Sequence, residues 1–375
     1  MKYYIIAGEA SGDLHGSNLI QCIRELDAES QIRCWGGDRM ASAGGSLAKH
    51  YRDLAFMGLF EVLANFRAIK KNFRYCKSDV INFDPDLLIF IDYSGFNLRI
   101  AEWAKRKGFY TSYYISPQVW ASRAKRVEKI KKCIDQMYVI LPFEKKFYQE
   151  EYQHRVHFVG HPLLDEIGKR EFLDKEVFRR KFGLDDRKII AVLPGSRTQE
   201  ISRMLPPMCS VADSFPDCQF VIAGAPNQDH NAYKQFIDKE NIRLIDNSTY
   251  SLLNASHAAV VASGTATLET ALFKVPQVVC YKGNWLTHFI AKRIFTRKYI
   301  CLVNLIMDKQ VVPELIQANC NFSTIEAELA RVLDEEERRG ILMDYDALEI
   351  RIGGVGASMR AAKIIIEHFR IKKAH

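Results

Sequence analysis

No apolar run in this chain approaches the roughly 18–20 residues that a helix needs to cross a bilayer. The apolar start, Tyr3-Tyr4-Ile5-Ile6-Ala7, is too short for the core of a secretory signal and stops at Gly8 and Glu9. The nine cysteines stand singly, with no CxxC pair and no zinc spacing, so neither a disulfide framework nor a zinc site is expected. A reducing, cytoplasmic compartment is expected instead. None of the ten histidines sits in H-E-x-x-H, and no metal or other cofactor is expected. G-x-G-x-x-G and G-x-x-x-x-G-K-[ST] are both absent, which argues against nicotinamide dinucleotide and P-loop binding. Neither Ser196 nor Ser263 has the G-x-S-x-G context of a serine hydrolase.

What is present is an ordinary globular composition: 375 residues, 48% hydrophobic and 26% charged. That length suggests two domains, each able to build a core. The formal net charge is +8, which points to nucleic acid, an anionic small substrate or an anionic membrane surface. No helix-turn-helix, zinc finger or RNP motif accompanies the charge, so no nucleic acid is expected. The bases cluster at Arg123, Lys125, Arg126, Lys129, Lys131 and Lys132, and again at Lys292, Arg293, Arg297 and Lys298. A third cluster interleaves Arg67, Lys70, Lys71 and Arg74 with Leu59, Val62, Leu63, Phe66, Ile69 and Phe73 at helical spacing. Such a stripe serves either as the core-facing side of an amphipathic helix or as a membrane-surface helix. Bases with apolar neighbours lean towards an anionic lipid surface.

Short β-rich runs alternate with helical patterns along the whole chain, the mark of parallel sheets built from βαβ units. Strands are expected at residues 3–7, 32–35, 87–91, 110–115, 136–140 and 156–159, and in a second series at 189–193, 219–223, 242–245, 258–262 and 277–281. The expected fold is α/β: two doubly wound, Rossmann-like domains facing each other across a cleft. The first spans residues 1–165 and the second 166–345. A helical segment, 346–375, has no packing partner that the sequence identifies. In such folds ligands bind outside the carboxyl ends of the strands, so the loops there are the places to search.

Four of those loops carry chemistry. In the first, Gly8-Glu9-Ala10-Ser11-Gly12-Asp13, glycines allow close approach to backbone, and Ser11 or Asp13 can cap the next helix. Its carboxylates serve either as acceptors for sugar hydroxyls or as turn residues. In the second, Ile91-Asp92-Tyr93-Ser94-Gly95-Phe96-Asn97, a strand-end acid is placed to act as a general base, while Asn97 suits the cap of a helix starting near Leu98. In the third, Leu193-Pro194-Gly195-Ser196-Arg197, the glycine turns backbone N–H groups towards a phosphate, Ser196 adds a hydroxyl and Arg197 a fork of donors. In the fourth, Ser263, Gly264 and Thr265 open a helix whose N-terminus attracts a diphosphate, and Glu269 can accept both hydroxyls of a ribose. Together the last two describe a nucleoside-diphosphate pocket in the second domain. Asp84-Pro85-Asp86 precedes its strand and reads as a turn, and His161 before Pro162 reads as structural.

On these strings the chain resembles the bacterial lipid-A-disaccharide synthases, glycosyltransferases of the two-domain GT-B fold. The resemblance is carried by Ala7–Asp13, Phe56-Met57-Gly58, Ser116-Pro117-Gln118-Val119-Trp120-Ala121, Leu141-Pro142-Phe143-Glu144, Gly160-His161-Pro162, Leu193–Arg197, Ala262–Glu269 and Val303-Asn304-Leu305. One motif departs from the family: I-D-x-P-D-F-N reads here as I-D-Y-S-G-F-N, so Ser94 replaces a proline and Gly95 replaces the second acid, while Asp92 is retained.

The resemblance implies transfer of 2,3-diacylglucosamine from UDP-2,3-diacylglucosamine to 2,3-diacylglucosamine 1-phosphate, giving a β-1,6 disaccharide and UDP with inversion. It implies Asp92 as base, with Glu9 orienting the acceptor or serving as the alternative base, and Ser11 and Asp13 beside it. Ser196, Arg197, Ser263, Gly264, Thr265 and Glu269 would hold UDP, and Asn304 is carried over as a pocket residue. It further implies an enzyme peripherally bound at the inner face of the inner membrane, docked through Leu59–Arg74. The competing expectations are a UDP-N-acetylglucosamine 2-epimerase and, from another class, a non-catalytic lipid- or nucleic-acid-binding protein.

Overall fold

A computed structural model describes residues 1–54, 66–120, 126–225, 228, 233, 236, 239–283 and 298–374. The chain divides into two compact units, Met1–Gly168 together with Ile352–His375, and Lys169–Arg351.

The first unit is built on β1 (Lys2–Ala7), β2 (Gln31–Gly36), β3 (Ser46–His50), β4 (Leu87–Ile91), β5 (Tyr110–Tyr114), β6 (Gln136–Val139) and β7 (His157–Phe158). They form one seven-stranded sheet in the order β3-β2-β1-β4-β5-β6-β7, and every pairing is parallel. The strand β4, Leu-Leu-Ile-Phe-Ile, is buried along its whole length because helices cover both faces. Its alternation sends Leu88 and Phe90 to one side, with Trp35, Phe96 and Ile100, and Leu87, Ile89 and Ile91 to the other. That second side is closed by Leu19 and Ile23 of the helix Ala10–Leu26 and by Ala361, Ile365 and Phe369 of the final helix, Ala357–Ala374.

The final helix therefore belongs to the first unit, although the chain has just left the second. Burying side chains such as Ile365, Ile366 and Phe369 stabilises this return by roughly 1.5–3 kcal/mol each. Asp165 fixes where the helix begins, accepting from the backbone N–H of Gly356 at 2.6 Å and of Ser358 at 2.8 Å.

The second unit carries β8 (Lys188–Leu193), β9 (Cys218–Gly224), β10 (Ile242–Asp246), β11 (Ala258–Ala262), β12 (Gln277–Tyr281) and β13 (Glu314–Ile316) in the order β10-β9-β8-β11-β12-β13, again all parallel. In both sheets the strand order reverses beside the first strand of the unit, between β1 and β4 and between β8 and β11. The loops leaving those two pairs are the four loops singled out for their chemistry, which puts all of them at topological switch points. Two strands were not expected from sequence. The strand β3, Ser-Leu-Ala-Lys-His, is a half-polar edge, and β13 has only three residues. Among the described residues no helix is long and apolar enough to cross a membrane.

Candidate active site

In the second unit the chain leaves β8 at Leu193, and Gly195 turns it with φ 105°, a left-handed conformation that a β-carbon would strain. Ser196 and Arg197 then lead into the helix Thr198–Ser210. From β11 the chain passes Ser263, whose N–H donates to the Cys280 carbonyl at 2.9 Å, and Gly264 caps the helix Thr265–Leu272. Both turns, with Glu269, line one cavity of about 510 Å³ that also touches Gly224, Thr249, Tyr281 and Lys282. The residues expected to hold a nucleoside diphosphate are thus brought together, and Gly264 and Thr265 are exposed at its rim.

Glu269 is half-buried in the wall, and burial raises its carboxyl above the ordinary range, opposed by the Tyr250 hydroxyl and the Arg170 charge. Tyr250 donates to Glu269 Oε1 at 2.9 Å, and the Arg170 guanidinium lies 4.7 Å from the centre of the Tyr250 ring. Sequence reading missed Tyr250 because it comes from the helix Thr249–Ala255, on the other side of β11, with no spacing that links it to Glu269.

Two of the expected positions already have partners within the chain. The backbone N–H groups of Ser196 and Arg197, expected to face a phosphate, donate to Glu200 Oε2 at 3.2 and 3.3 Å. Asn304 does not line the cavity. It is fully buried, its amide N donates to Val312 O at 2.9 Å and Glu314 Oε1 at 3.0 Å, and its oxygen accepts from the N–H of Val311 and Val312. With both ends of the amide committed, Asn304 ties the helix Leu302–Met307 to β13 instead of meeting a ligand.

In the first unit Asp92 and Tyr93 follow β4 with φ of 41° and 47°, two successive left-handed non-glycine residues. Such strain persists only where the surroundings over-determine it. Here Asn97 donates its amide to the carbonyls of Ile91 at 3.1 Å and Asp92 at 2.8 Å, and the Tyr113 hydroxyl also donates to Asp92 O. The Tyr93 ring lies over Gly8, where a β-carbon would come within 2.2 Å of it, so the two loops fit only with glycine there. The helix expected near Leu98 starts at Ser94, and Asn97 clamps the strand end from inside it instead of capping it.

The main chain of Asp92 is thereby fixed, and its carboxyl is half-buried. Burial pushes that carboxyl up to about 6, the negative charge of Glu9 adds to the rise, and the Tyr93 backbone N–H opposes it. Glu9 and Ser11 are exposed at the start of the helix Ala10–Leu26, which has no side-chain cap.

Asp13 is a correction: it is buried, and its carboxylate accepts from the N–H of Gly37 at 2.6 Å, Met40 at 3.1 Å and Arg39 at 3.3 Å. It caps the helix Asp38–Ser42 and is withdrawn from the acceptor set. His161 is buried and neutral, its imidazole pushed down to about 3 by burial and by His15, and its Nδ1 accepts from Leu163 N at 3.2 Å.

The basic stripe is partly described. Arg67, Lys70, Lys71 and Arg74 are exposed on the helix Phe66–Phe83, whereas Phe73 turns inward and stacks on Phe96 with ring centres 4.5 Å apart. Leu59, Val62, Leu63, Arg123, Lys125, Lys292, Arg293 and Arg297 lie outside the described residues, as does the Phe56-Met57-Gly58 string. Among the described residues no group of three metal-ligating side chains is assembled.

Two doubly wound parallel sheets in one chain define a protein of the GT-B class, which glycosyltransferases and sugar-nucleotide epimerases share. The glycosyltransferase of kitacinnamycin has the same fold, with a TM-score of 0.68 at 14% identity over 98% of this chain and 99% of its own. So has the UDP-GlcNAc 2-epimerase of Neisseria meningitidis, solved with UDP-GlcNAc, with a TM-score of 0.66 at 13% identity over 98% and 99%. Sequence is more selective. The family model LpxB, lipid-A-disaccharide synthetase, matches residues 3–365, and the chain belongs to that family. The lipid-A-disaccharide synthase of Syntrophus aciditrophicus is 40% identical over 96% of this chain and 95% of its own length. That of Coxiella burnetii (strain CbuG_Q212) is 38% identical over 96% of each.

Proposed function

We propose that the chain is an inverting glycosyltransferase that moves 2,3-diacylglucosamine from UDP-2,3-diacylglucosamine to O6 of 2,3-diacylglucosamine 1-phosphate. The observation that carries the reading is one cavity of the second unit that gathers both glycine turns and Glu269 in a member of this family. In the reaction the acceptor O6 bonds to the anomeric carbon, the bond from that carbon to the diphosphate breaks, and UDP leaves. Asp92 takes the O6 proton, and a carboxyl near 6 is mostly ionised at neutral pH yet basic enough to accept it. Glu9, exposed beside it, orients the acceptor.

Ser196, Arg197 and the turn at Ser263–Thr265 receive the negative charge that builds on the leaving diphosphate. Glu269 accepts from the ribose hydroxyls, with Tyr250 holding its other oxygen. The exposed bases of the helix Phe66–Phe83 dock the enzyme on anionic lipid at the inner face of the inner membrane, where both acylated substrates reside.

The test is UDP release from the diacylated donor with and without the monosaccharide 1-phosphate. Acceptor-dependent release with a disaccharide product supports the transferase. Epimerisation of UDP-N-acetylglucosamine by the same protein, without transfer, would reject it.

A further inference from the structure

We propose that Glu200 sets the nucleotide affinity of the second unit as an internal anion, competing with the diphosphate for the donors of the turn Gly195-Ser196-Arg197. The inference rests on the reading of that turn as a phosphate site. Glu200 Oε2 accepts from the N–H of Ser196 at 3.2 Å and of Arg197 at 3.3 Å, and Oε1 lies 3.8 Å from Arg197 Nη1. These are the groups that a phosphate oxygen would engage, and one carboxylate holds all of them. It also fills the approach to the turn, since a β-carbon on Gly195 would lie 2.7 Å from Glu200 Oε2.

The contact is built to be exchanged. Its bonds are longer than the roughly 2.7–2.9 Å of strong charge-assisted pairs. The Glu200 side chain is 44% exposed and that of Arg197 74% exposed, so both can swing into water without burying a charge. Glu200 is also the capping-box residue of the helix Thr198–Ser210, but the first turn keeps backbone bonds of its own: the N–H groups of Glu200 and Ile201 donate to the Arg197 carbonyl at 2.8 and 3.0 Å. A bound diphosphate therefore replaces one anion with another on a turn already shaped for it. The nucleotide gains less from these donors than it would from a turn with no resident carboxylate, and UDP is held loosely enough to leave as product.

The competition concerns phosphate only, which separates it from a structural role. Isothermal titration of the full chain with UDP and with uridine reads the difference. Glu200→Gln, which keeps the size and an acceptor oxygen but loses the charge, should bind UDP about tenfold more tightly and uridine unchanged. In turnover its donor KM should fall without a rise in kcat. Glu200→Asp, whose shorter arm withdraws the carboxylate from both N–H groups, should shift UDP in the same direction by a smaller factor and carries the test if the amide variant fails to fold. UDP binding that is equal or weaker in these variants, with wild-type binding intact, would overturn the inference and leave the nucleotide reading standing. Failure of the unaltered protein to bind UDP at all would overturn both.

Discussion

Tyr250 holds Glu269 through a hydrogen bond of 2.9 Å from its hydroxyl to Oε1, and in the proposed ribose role of Glu269 that bond keeps the carboxylate ionised and in place. Burial drives the Glu269 carboxyl towards its neutral form, and the tyrosine hydroxyl, with the charge of Arg170, pulls it back. Tyr250→Phe removes the larger of those two corrections and frees the carboxylate to rotate. The expected result is a donor KM raised about five- to tenfold near neutral pH, with kcat within about twofold. The defect should shrink as pH rises, because alkali restores the ionised carboxylate. A KM indifferent to the substitution, or a defect independent of pH, would remove Glu269 from the ribose role.

Asp92 makes two opposite demands on pH. As a base it must be ionised, so kcat/KM should fall as pH drops through about 6, and Asp92→Asn should lose about 10²–10⁴-fold in kcat while still binding UDP. Full turnover in a folded Asp92→Asn protein would end the assignment. For stability the sign reverses. A carboxyl raised from 3.8 to about 6 makes the folded chain hold more protons than the unfolded one between those values, so stability declines as pH rises through that window. Asp92→Asn should therefore raise the melting temperature above pH 6 and change it little near pH 4.

Asp13 gives a prediction about folding instead of catalysis. Its carboxylate satisfies the N–H groups of Gly37, Arg39 and Met40 in a buried position. Asp13→Ala orphans those donors and should cost about 2–4 kcal/mol in denaturant unfolding. A loss below about 0.5 kcal/mol would restore Asp13 to the list of residues free to meet a substrate.

The residues that were legible in the sequence share a cause. The core strands β1, β4, β8 and β11 are short apolar runs, and a strand end followed by glycine and a polar residue is a local pattern. Asp92, Glu269 and the turns at Gly195 and Gly264 could be singled out that way because in a doubly wound sheet the crevice opens where the chain leaves a strand. What was not legible is partnership across the chain. Nothing in Gly-Asp-Leu-His says that Asp13 will cap a helix at Asp38, or in Val-Asn-Leu that Asn304 will spend its amide on Val311, Val312 and Glu314. Tyr250 was missed for the same reason, since it reaches Glu269 from another helix, whereas Glu200 stands three residues past Arg197 at local capping-box spacing.

The helix Phe66–Phe83 shows the limit of a helical stripe as evidence for a membrane. Its pattern fits a core face as well as a lipid face, the core face being the commoner, and the described part divides the two. Phe73 stacks on Phe96, and Cys76 and Val80 are fully buried, so these apolar positions belong to the core. The bases Arg67, Lys70, Lys71 and Arg74 all remain exposed. If that face meets lipid, the attraction is electrostatic and worth about 1 kcal/mol per base at an anionic surface. Reversing the four charges to glutamate should then reduce binding to vesicles containing phosphatidylglycerol by well over tenfold. It should leave binding to neutral vesicles unchanged and UDP affinity intact. Raising the salt concentration should weaken the wild type in the same direction, because screening acts on the same charges. Co-sedimentation that ignored both the reversal and the salt would assign the bases to ordinary solvation and require another surface to meet the membrane.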